Sequence, residues 1–450
     1  MTQALFPSEQ HLGLLTDLYE LTMAAGYFVH GLADQRVTFE LGVRKLPDCR
    51  NYLVTVGLEQ AVHYLRHLSF APEQIRYLRE HRAFRNVPPS WFERLASLHF
   101  DGDLWAIPEG TVVFAGEPLL RVTAPFMVAQ IVETYLMATI SLQTLVASKA
   151  ARVVQAAQGR DVFDFGSRRA HGPQAGLLAA RAAYIGGCVG TSNTEAARLL
   201  GIPSLGTQAH SWIMAWGDEI EAFRKFGEVF PDNAILLIDT YDTLQGARHA
   251  VASGAPMQAV RLDSGDLLEL SRQVRQILNE AGRQDVKIVA SGDLNEYKIR
   301  RLLQAGAPID SFGVGTELVT SRDEPTLALV YKLVEQESPQ GPLGRFKLAK
   351  GKTSYPYVKQ VYRHAAADGT FAGDLITRAT EQRADAPLLE PVLEKGRIYK
   401  PLPALEECRR RYQGQRHRLP TELLQLERAP AYPVHISEEL QTEARRLAEH

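Results

Sequence analysis

One histidine, His210, stands in a segment, 207–212 (TQAHSW), whose residue types could carry out phosphoryl or proton transfer. A stretch rich in Gly and Pro precedes it and an aromatic-rich segment follows, so the sequence predicts a loop position at the entry to a helix. An imidazole is a nucleophile and a proton carrier near neutral pH, and it could therefore accept a phosphoryl group. The alternative is a structural histidine whose hydrogen bonds are satisfied inside the fold. The choice depends on the side chains around His210.

A second polar cluster, 261–266 (RLDSGD), ends an apolar run. Asp263 and Asp266 could bind ribose hydroxyls or a metal ion, and Arg261 could pair with a carboxylate or a phosphate. The alternative is a helix N-terminus capped by Ser264 or Asp263. Arg261 has no role in capping, which favours a ligand site.

Glycines follow two further apolar runs. In 313–316 (GVGT) they let the backbone approach a phosphate and offer it N–H donors. The pattern is not GxGxxG, the fingerprint of a dinucleotide site. A ribose monophosphate is the better interpretation. The segment 291–293 (SGD) repeats the theme, and Asp293 could hold ribose hydroxyls.

Aromatic and cationic residues stand together in 163–169 (FDFGSRR), just past another apolar run. A ring such as Phe165 could stack on a flat ligand, while the guanidinium groups of Arg168 and Arg169 neutralise its carboxylate. The alternative interpretation is buried structural pairing.

The elements that must position these residues form a repeated pattern. Apolar runs end at the polar segments, and helical stretches closing at Gly lie between them. Asp239, Asp263, Ser291 and Gly315 are separated by 24, 28 and 24 residues, enough for a strand, a helix and two loops. The pattern predicts a parallel sheet in a (β/α) barrel, whose ligands bind at the carboxyl ends of the strands. The runs span 162–166, 234–240, 259–264, 286–292 and 309–316, and the helices 241–253, 266–281 and 294–304.

Length and composition limit the class of protein. A chain of 450 residues predicts two or three domains, which we place at 1–130, 131–335 and 336–450. The net charge of −2 gives no basic field for nucleic acid. Three distant cysteines and an N-terminus without a basic n-region predict a cytoplasmic protein. The most apolar window, 126–146, contains polar residues and is typical of a buried helix, not a membrane span.

Eight motifs, in order, resemble the nicotinate phosphoribosyltransferase family. They are LTDLYELTM (15–23), FDFGSRRAHGP, GTSN, GTQAHSW, IDTYDT, VRLDSGD, SGDLNE and GVGTELVTS. The resemblance runs from near residue 14 to near residue 363. It implies an α/β fold, an irregular (β/α) barrel of the type II phosphoribosyltransferase kind with an additional α+β domain built from N-terminal and C-terminal segments. It also implies a homodimer with shared active sites.

The reaction that the resemblance implies joins nicotinate and phosphoribosyl pyrophosphate (PRPP) into nicotinate mononucleotide and pyrophosphate. ATP is hydrolysed alongside as a co-substrate, and Mg²⁺ is required. His210 matches the histidine phosphorylated from ATP, and Tyr19 the tyrosine contributed to the neighbouring subunit's pyridine pocket. The remaining matches are Phe165, Arg168, Thr207 and Arg261 around nicotinate, and Asp263, Gly292, Asp293, Gly313, Gly315 and Thr316 around the ribose phosphate, with Asp263 also catalytic.

One position bears on the choice of substrate. The related nicotinamide enzyme carries an Asp in a GTDT segment, where this chain has Ser192 in GTSN. An Asp would repel a carboxylate ligand, whereas Ser can donate to one, so nicotinate is favoured. The alternatives are the nicotinamide-specific relative, the decarboxylating quinolinate-using enzyme, and a non-catalytic barrel that binds nucleotides.

Overall fold

The computed structural model describes residues 11–348 and 354–449. The chain divides into two compact units. The first combines Met1–Thr144 with Thr326–His450, and the second is Leu145–Pro325. An additional domain built from both ends of the chain is therefore confirmed.

Over residues 11–156, where the described part of the chain begins, there are five helices and five strands of the first unit, followed by a long helix whose residues belong to both units. In chain order these elements are α1 (Leu18–Val29), β1 (Arg36–Val43), β2 (Leu53–Val54), α2 (Leu58–Arg66), α3 (Pro72–Glu80), α4 (Pro89–Ala96), β3 (Asp103–Ala106), β4 (Val112–Val113), β5 (Pro118–Pro125), α5 (Phe126–Ile131) and α6 (Glu133–Ala156).

The second unit alternates strands and helices, as the pattern of apolar runs predicted. Its elements after α6 are β6 (Asp161–Asp164), α7 (Pro173–Ile185), β7 (Gly190–Thr191), α8 (Thr194–Leu200), α9 (His210–Trp216), α10 (Glu219–Val229), β8 (Ile235–Leu237), α11 (Thr243–Ala252), β9 (Ala259–Leu262), α12 (Leu267–Glu280), β10 (Lys287–Ala290), α13 (Glu296–Gln304), β11 (Ser311–Val314) and α14 (Thr316–Val319).

The chain then returns to the first unit. The remaining elements are β12 (Leu329–Gln336), β13 (Leu343–Gly344), β14 (Lys359–Ala365), β15 (Phe371–Arg378), β16 (Glu390–Glu394), β17 (Arg397–Ile398), α15 (Leu405–Arg416), β18 (Val434–Ile436) and α16 (Glu438–Ala448).

The first unit is built on an antiparallel sheet of seven strands in the order β13-β12-β1-β5-β3-β16-β17. Strands from both ends of the chain thus share one sheet, because β1 pairs with β12 on one side and β5 on the other. The central strand β1 is buried along most of its length, as a strand covered on both faces must be.

The second unit contains six parallel strands in the order β7-β6-β11-β10-β9-β8. The last of these strands in the chain, β11, pairs with the first, β6. Each strand also pairs with the next one in the chain, except that β7 does not pair with β8. This is a barrel with one open seam. The segment before His210 bridges that seam, because Ser204 pairs with Thr191 of β7 and the Gln208 side chain accepts from the Leu237 N–H of β8 at 3.0 Å. The predicted irregular barrel is confirmed.

No helix among the described residues is long and apolar enough to cross a membrane. The apolar window 126–146 lies in α5 and α6, whose polar residues interrupt it.

Candidate active site

The polar segments predicted from the sequence follow neighbouring strands of the barrel. Asp239 comes after β8, Asp263 after β9, Asp293 after β10 and Gly315 after β11. Because the strands are parallel, all of these residues lie at the carboxyl edge of the sheet.

Hydrogen bonds couple three of these strand ends. One oxygen of Asp239, Oδ2, accepts from the Asp263 N–H at 3.1 Å and from the Ser264 hydroxyl at 2.6 Å. The Ser291 hydroxyl in turn donates to Asp263 Oδ1. The other oxygen of Asp239 is buried and has no hydrogen-bond partner among the described residues. Two carboxylates are thus held side by side with acceptor capacity left for a ligand.

The helix after β9 is capped by a different residue from those considered in the sequence. Asp266 accepts from the N–H groups of Leu268 at 3.0 Å and Glu269 at 3.3 Å, and it is the N-cap of α12. Capping by Ser264 or Asp263 is therefore wrong. Their side chains serve the strand-end cluster instead.

Arg261 lies on β9 and is 9% exposed. Its Nη1 donates to the Thr207 hydroxyl and to the Gln208 carbonyl at 3.2 Å, and its Nη2 lies 3.3 Å from Asp263 Oδ1. Its Nε is buried without a hydrogen-bond partner among the described residues. A buried guanidinium with an unused donor could bind a carboxylate or phosphate.

His210 is the first residue of α9, as the loop-to-helix pattern predicted. Its ring is half-buried, and Nδ1 lies 3.2 Å from the Thr240 hydroxyl, which follows Asp239 in the chain. The structure gives the described part of the chain no second hydrogen bond to this ring. A histidine held by one nitrogen can present the other to a phosphoryl donor, which supports the functional interpretation.

Two glycine segments shape the edge differently. Gly292 has a φ of +90°, and a Cβ there would lie 1.8 Å from the Asp263 carbonyl oxygen. The next residue, Asp293, is also left-handed at a φ of +47°. Gly313 lies under the Phe165 ring, because a Cβ there would meet that ring at 2.3 Å, whereas Gly315 has more room. Gly313 therefore admits an aromatic ring, and Gly315 is the N-cap of α14.

Asp164, at the end of β6, organises the other side of the edge. Its carboxylate accepts from the Gly166 N–H and the Thr191 hydroxyl, each at 2.8 Å, and burial raises its pKa. Its carbonyl accepts from the Ser192 N–H at 2.8 Å. This carboxyl thereby fixes the loop after β6, which carries half-buried Phe165, against the loop that carries Ser192.

Arg168 lies in a 3-10 turn, Ser167–Arg169, and is exposed. Its guanidinium forms no ion pair with any part of the chain that the structure describes. It can therefore move toward a carboxylate without first losing a partner.

Tyr19 lies in the first turn of α1, in the first unit, and is 48% exposed. Burial of its hydroxyl, followed by the charges of Glu133 and Glu20, raises its pKa. Glu20 is fully buried and accepts from the Thr134 N–H at 3.1 Å and the Thr134 hydroxyl at 2.7 Å. Hydrogen bonds thus join the start of α1 to the start of α6, and they fix the helical turn that carries the exposed Tyr19 ring.

We predict that Glu20 makes stability depend on pH. Burial first, then the neighbouring carboxylates Glu133 and Asp17, raise the pKa of Glu20 to about 8, against opposing hydrogen bonds from Thr134 and Tyr19. An unfolded chain releases this proton near pH 4.5, so the folded state loses stability as pH rises between these values, by at most about 1.4 kcal/mol per pH unit. Glu20→Gln should remove this loss.

The measurement is the Tm of Glu20→Gln minus that of the parent, from about pH 5.5 to about pH 8.5. This difference should grow in favour of the variant as pH rises. Glu73→Gln, at an exposed glutamate in the first turn of α3, is the control and should show a flat difference. A flat difference for Glu20→Gln would show that Glu20 is ionised throughout.

The barrel with polar strand ends matches a known class of enzyme domain. Residues 146–323 match the family model of the quinolinate phosphoribosyl transferase C-terminal domain, which makes the second unit a type II phosphoribosyltransferase barrel. Residues 14–141 and 386–443 match the N-terminal and C-terminal domains of nicotinate phosphoribosyltransferase.

Full-length relatives narrow the assignment. The chain is 44% identical to nicotinate phosphoribosyltransferase pncB2 of Mycobacterium tuberculosis, with 97% of this chain and 94% of the relative covered. It is 36% identical to the Bacillus subtilis nicotinate phosphoribosyltransferase, with 96% and 94% covered. The chain belongs to the nicotinate phosphoribosyltransferase family.

Solved structures agree with this assignment. The crystal structure of human nicotinic acid phosphoribosyltransferase matches with a TM-score of 0.85 at 29% identity, and the match covers 96% of this chain and 100% of the human chain. A nicotinate-nucleotide pyrophosphorylase from Pyrococcus furiosus matches with a TM-score of 0.74 at 27% identity, over 93% and 99% of the two chains.

Several residues of the edge were missed as site residues in the sequence. Asp164, Gln208, Asp239 and Thr240 bind the predicted site residues or lie beside them. Asp239 ends an apolar run like Asp263, and that position was the available signal. Gln208 carries no such signal, because its contacts come from strands distant in the chain.

Proposed function

We propose that this protein transfers a phosphoribosyl group from PRPP to nicotinate, with ATP hydrolysed alongside. The observation that carries the proposal is Arg261, a buried guanidinium with an unused donor beside the strand-end carboxylates. A cation for the nicotinate carboxylate thus lies next to acceptors for ribose hydroxyls. A non-catalytic nucleotide-binding barrel has no need of this combination.

The pyridine ring is bound between aromatic faces in this proposal. Phe165 stacks on one face, and Tyr19 of a second subunit stacks on the other. Arg261 and Thr207 hold the carboxylate, and Arg168 approaches from its exposed turn. The ring nitrogen is left free to attack.

The phosphoribosyl group is held by the loops after β9, β10 and β11. Asp263 and Asp293 accept from ribose hydroxyls, and backbone N–H groups bind the phosphate. The phosphate segment comprises Gly292, Gly313, Gly315 and Thr316, with Gly313 contributing by letting Phe165 pack closely.

The reaction is a displacement at the anomeric carbon. The bond from C1′ to pyrophosphate breaks while the nicotinate nitrogen forms a bond to C1′, and positive charge builds on the ribose. Asp263 is catalytic because its carboxylate, held by Ser291 and next to Asp239, faces this charge. The protein otherwise acts by holding the reactants in line.

A Mg²⁺ ion fits the chemistry of this edge. Asp239 and Asp263 provide carboxylate oxygens, and one oxygen of Asp239 is buried without a partner among the described residues. Within the described ranges no group of three or more metal-ligating side chains is found, as expected if substrate phosphates complete the coordination. When bound, the ion would neutralise charge on the leaving pyrophosphate.

His210 carries the phosphoryl group of ATP in this proposal. The bond between the β–γ bridging oxygen and the γ-phosphorus breaks, a bond from Nε2 to that phosphorus forms, and ADP leaves. Thr240 fixes the ring through Nδ1. While His210 is phosphorylated, the protein favours a conformation that binds PRPP tightly. Water later hydrolyses the phosphohistidine.

We also propose a homodimer that shares its active sites. The outer face of α1 exposes Leu18, Tyr19, Met23 and Val29, with Tyr19 at 48% and Val29 at 52%. An apolar face around the stacking tyrosine suits a second copy of the chain.

The test of the proposed function is product stoichiometry. With PRPP and nicotinate, the protein should form nicotinate mononucleotide and pyrophosphate in equal amounts, and ATP should raise the yield while ADP accumulates. Pyrophosphate release without nucleotide would indicate simple PRPP hydrolysis and overturn the proposal.

Substrate choice gives a further prediction at Ser192, which follows β7 and is bonded to Asp164 through its backbone. Ser192→Asp should lower the ratio of kcat/KM for nicotinate over nicotinamide by about two orders of magnitude, because like charges in a pocket cost several kcal/mol. Asp can also accept from an amide NH₂.

The control is Ser192→Ala, which removes the hydroxyl without adding charge. Its ratio should fall much less than that of Ser192→Asp. An unchanged ratio in the Asp variant would show that Ser192 does not line the pyridine pocket and would reopen the nicotinamide interpretation.

A further inference from the structure

A fully buried lysine, Lys149 of α6, contacts the segments that carry part of the proposed phosphoribosyl site. Its Nζ is 2.7 Å from Glu296 Oε2, 3.0 Å from Asp323 Oδ1 and 3.8 Å from Glu317 Oε2. The lysine side chain is 1% exposed and that of Glu296 is 0% exposed. One cation therefore faces three carboxylates.

Two arginines also contact carboxylates of this cluster. Arg152, one turn along α6, donates to Glu296 Oε1 at 3.0 Å and to the Tyr297 hydroxyl at 2.9 Å. Exposed Arg322 lies 3.4 Å from Glu317. Burial alone would raise the pKa of Glu296, but Lys149 and Arg152 hold it below its ordinary value. The two cations thus stabilise the charged form of this buried carboxyl.

The three carboxylates belong to the two segments that follow β10 and β11. Glu296 begins α13, three residues after Asp293, whose carbonyl accepts from Lys298 Nζ at 2.8 Å. Glu317 directly follows Thr316 in α14, and Asp323 lies in the loop beyond it. Lys149 thus joins the segment that carries Asp293 to the segment that carries Thr316.

We propose that Lys149 is a positioning residue that holds these two segments at the spacing needed for the phosphoribosyl group, an inference that rests on the proposed function. Without it, Glu296, Glu317 and Asp323 would lose the buried cation that they share. Like-charge repulsion and the cost of unpaired buried charge would then drive the start of α13 away from α14. Asp293 and Thr316 would separate with them.

The test is Lys149→Met, which keeps the length of the side chain and removes its charge. The KM for PRPP should rise by about tenfold or more, because a displacement of about 1 Å in a site can cost a hundredfold. The KM for nicotinate should change by less than about twofold, since Arg261 and Phe165 are outside the cluster. PRPP should also raise the Tm of the variant less than that of the parent.

Two further variants separate positioning from general destabilisation. Lys359→Met breaks a comparably buried pair in the first unit, where Lys359 Nζ lies 2.8 Å from Glu40 Oε2. It should lower Tm while leaving the KM for PRPP unchanged. Lys149→Met with Glu296→Gln removes a charge of each sign and should recover part of the stability.

The KM for PRPP of the Lys149 variants decides the positioning role. A Lys149→Met protein with the parental KM for PRPP and a lower Tm would overturn the positioning role. If that variant does not fold, the double variant decides, since a raised KM for PRPP supports the role and a parental one overturns it. A parent protein that does not bind PRPP would instead refute the proposed function.

Discussion

His210→Ala is expected to abolish ATP hydrolysis and ATP stimulation while nucleotide synthesis continues at a reduced rate. The reason is that the imidazole, anchored by Thr240, would carry phosphate and never contact the sugar carbon. The loss should be complete within detection, because removal of a covalent nucleophile leaves no acceptor for the phosphoryl group. The measurements are ADP formation and initial rates of nucleotide synthesis with and without ATP.

Labelling gives the direct readout and His249→Gln the control. Incubation with γ-labelled ATP should give the parent an acid-labile, base-stable label, and His210→Ala none. His249 lies on α11, paired with Glu219 at 2.7 Å, so its replacement should leave labelling intact. Full coupling to ATP in His210→Ala would contradict the assignment.

Arg261→Ala is expected to lower kcat/KM for nicotinate by about 10²- to 10³-fold. The nicotinate carboxylate would lose its guanidinium partner, and Asp263 would lose an ionic neighbour 3.3 Å away. Truncating one partner of a buried charge pair costs about 2–5 kcal/mol, a factor of about 30 to 4,000 that includes this range. Arg261→Lys is the control and should recover only part, because an ammonium cannot reproduce the guanidinium fork.

Subunit mixing extends this prediction to the proposed dimer. If Tyr19 stacks in the neighbouring site, Tyr19→Ala and Arg261→Ala chains should each be nearly inactive alone and partly active when mixed. Both lesions then fall in one composite site and leave the other intact. Absence of recovery after demonstrated subunit exchange would show that each chain builds its own pocket.

The framework of the barrel could be predicted because it depends on local patterns. Five apolar runs ending in polar residues became β6, β8, β9, β10 and β11, and the glycine-closed helices became α11, α12 and α13. Parallel pairing then places their ends at one edge without further information. The polar residue types at those ends indicated the kind of ligand.

The contacts that complete the edge could not be predicted in this way. Strand β7 has only two residues, too few for a periodic signal, and Gln208 bridges the open seam through a partner 29 residues away. The cap of α12 is Asp266, because the side chains of Ser264 and Asp263 bond to Asp239 and Ser291 instead. Long-range partners decide such cases, and one sequence does not reveal them.

The cluster of buried charges around Lys149 could not be predicted from the sequence either. Lys149 sits in a helix of mixed composition, where a lysine ordinarily faces water. Its three carboxylates come from segments more than a hundred residues along the chain. Only the folded arrangement shows that this lysine contacts the segments of the proposed site.

The central claim is that the strand-end cluster transfers a phosphoribosyl group to nicotinate, and pyridine-dependent pyrophosphate release from PRPP tests it most directly. The rate should be compared with nicotinate, nicotinamide and quinolinate as the only variable, in the presence of Mg²⁺ and ATP. We expect release with nicotinate, little with nicotinamide and none with quinolinate, and loss of release in Arg261→Ala. Release that is faster with nicotinamide or quinolinate, or that needs no pyridine, would contradict the account.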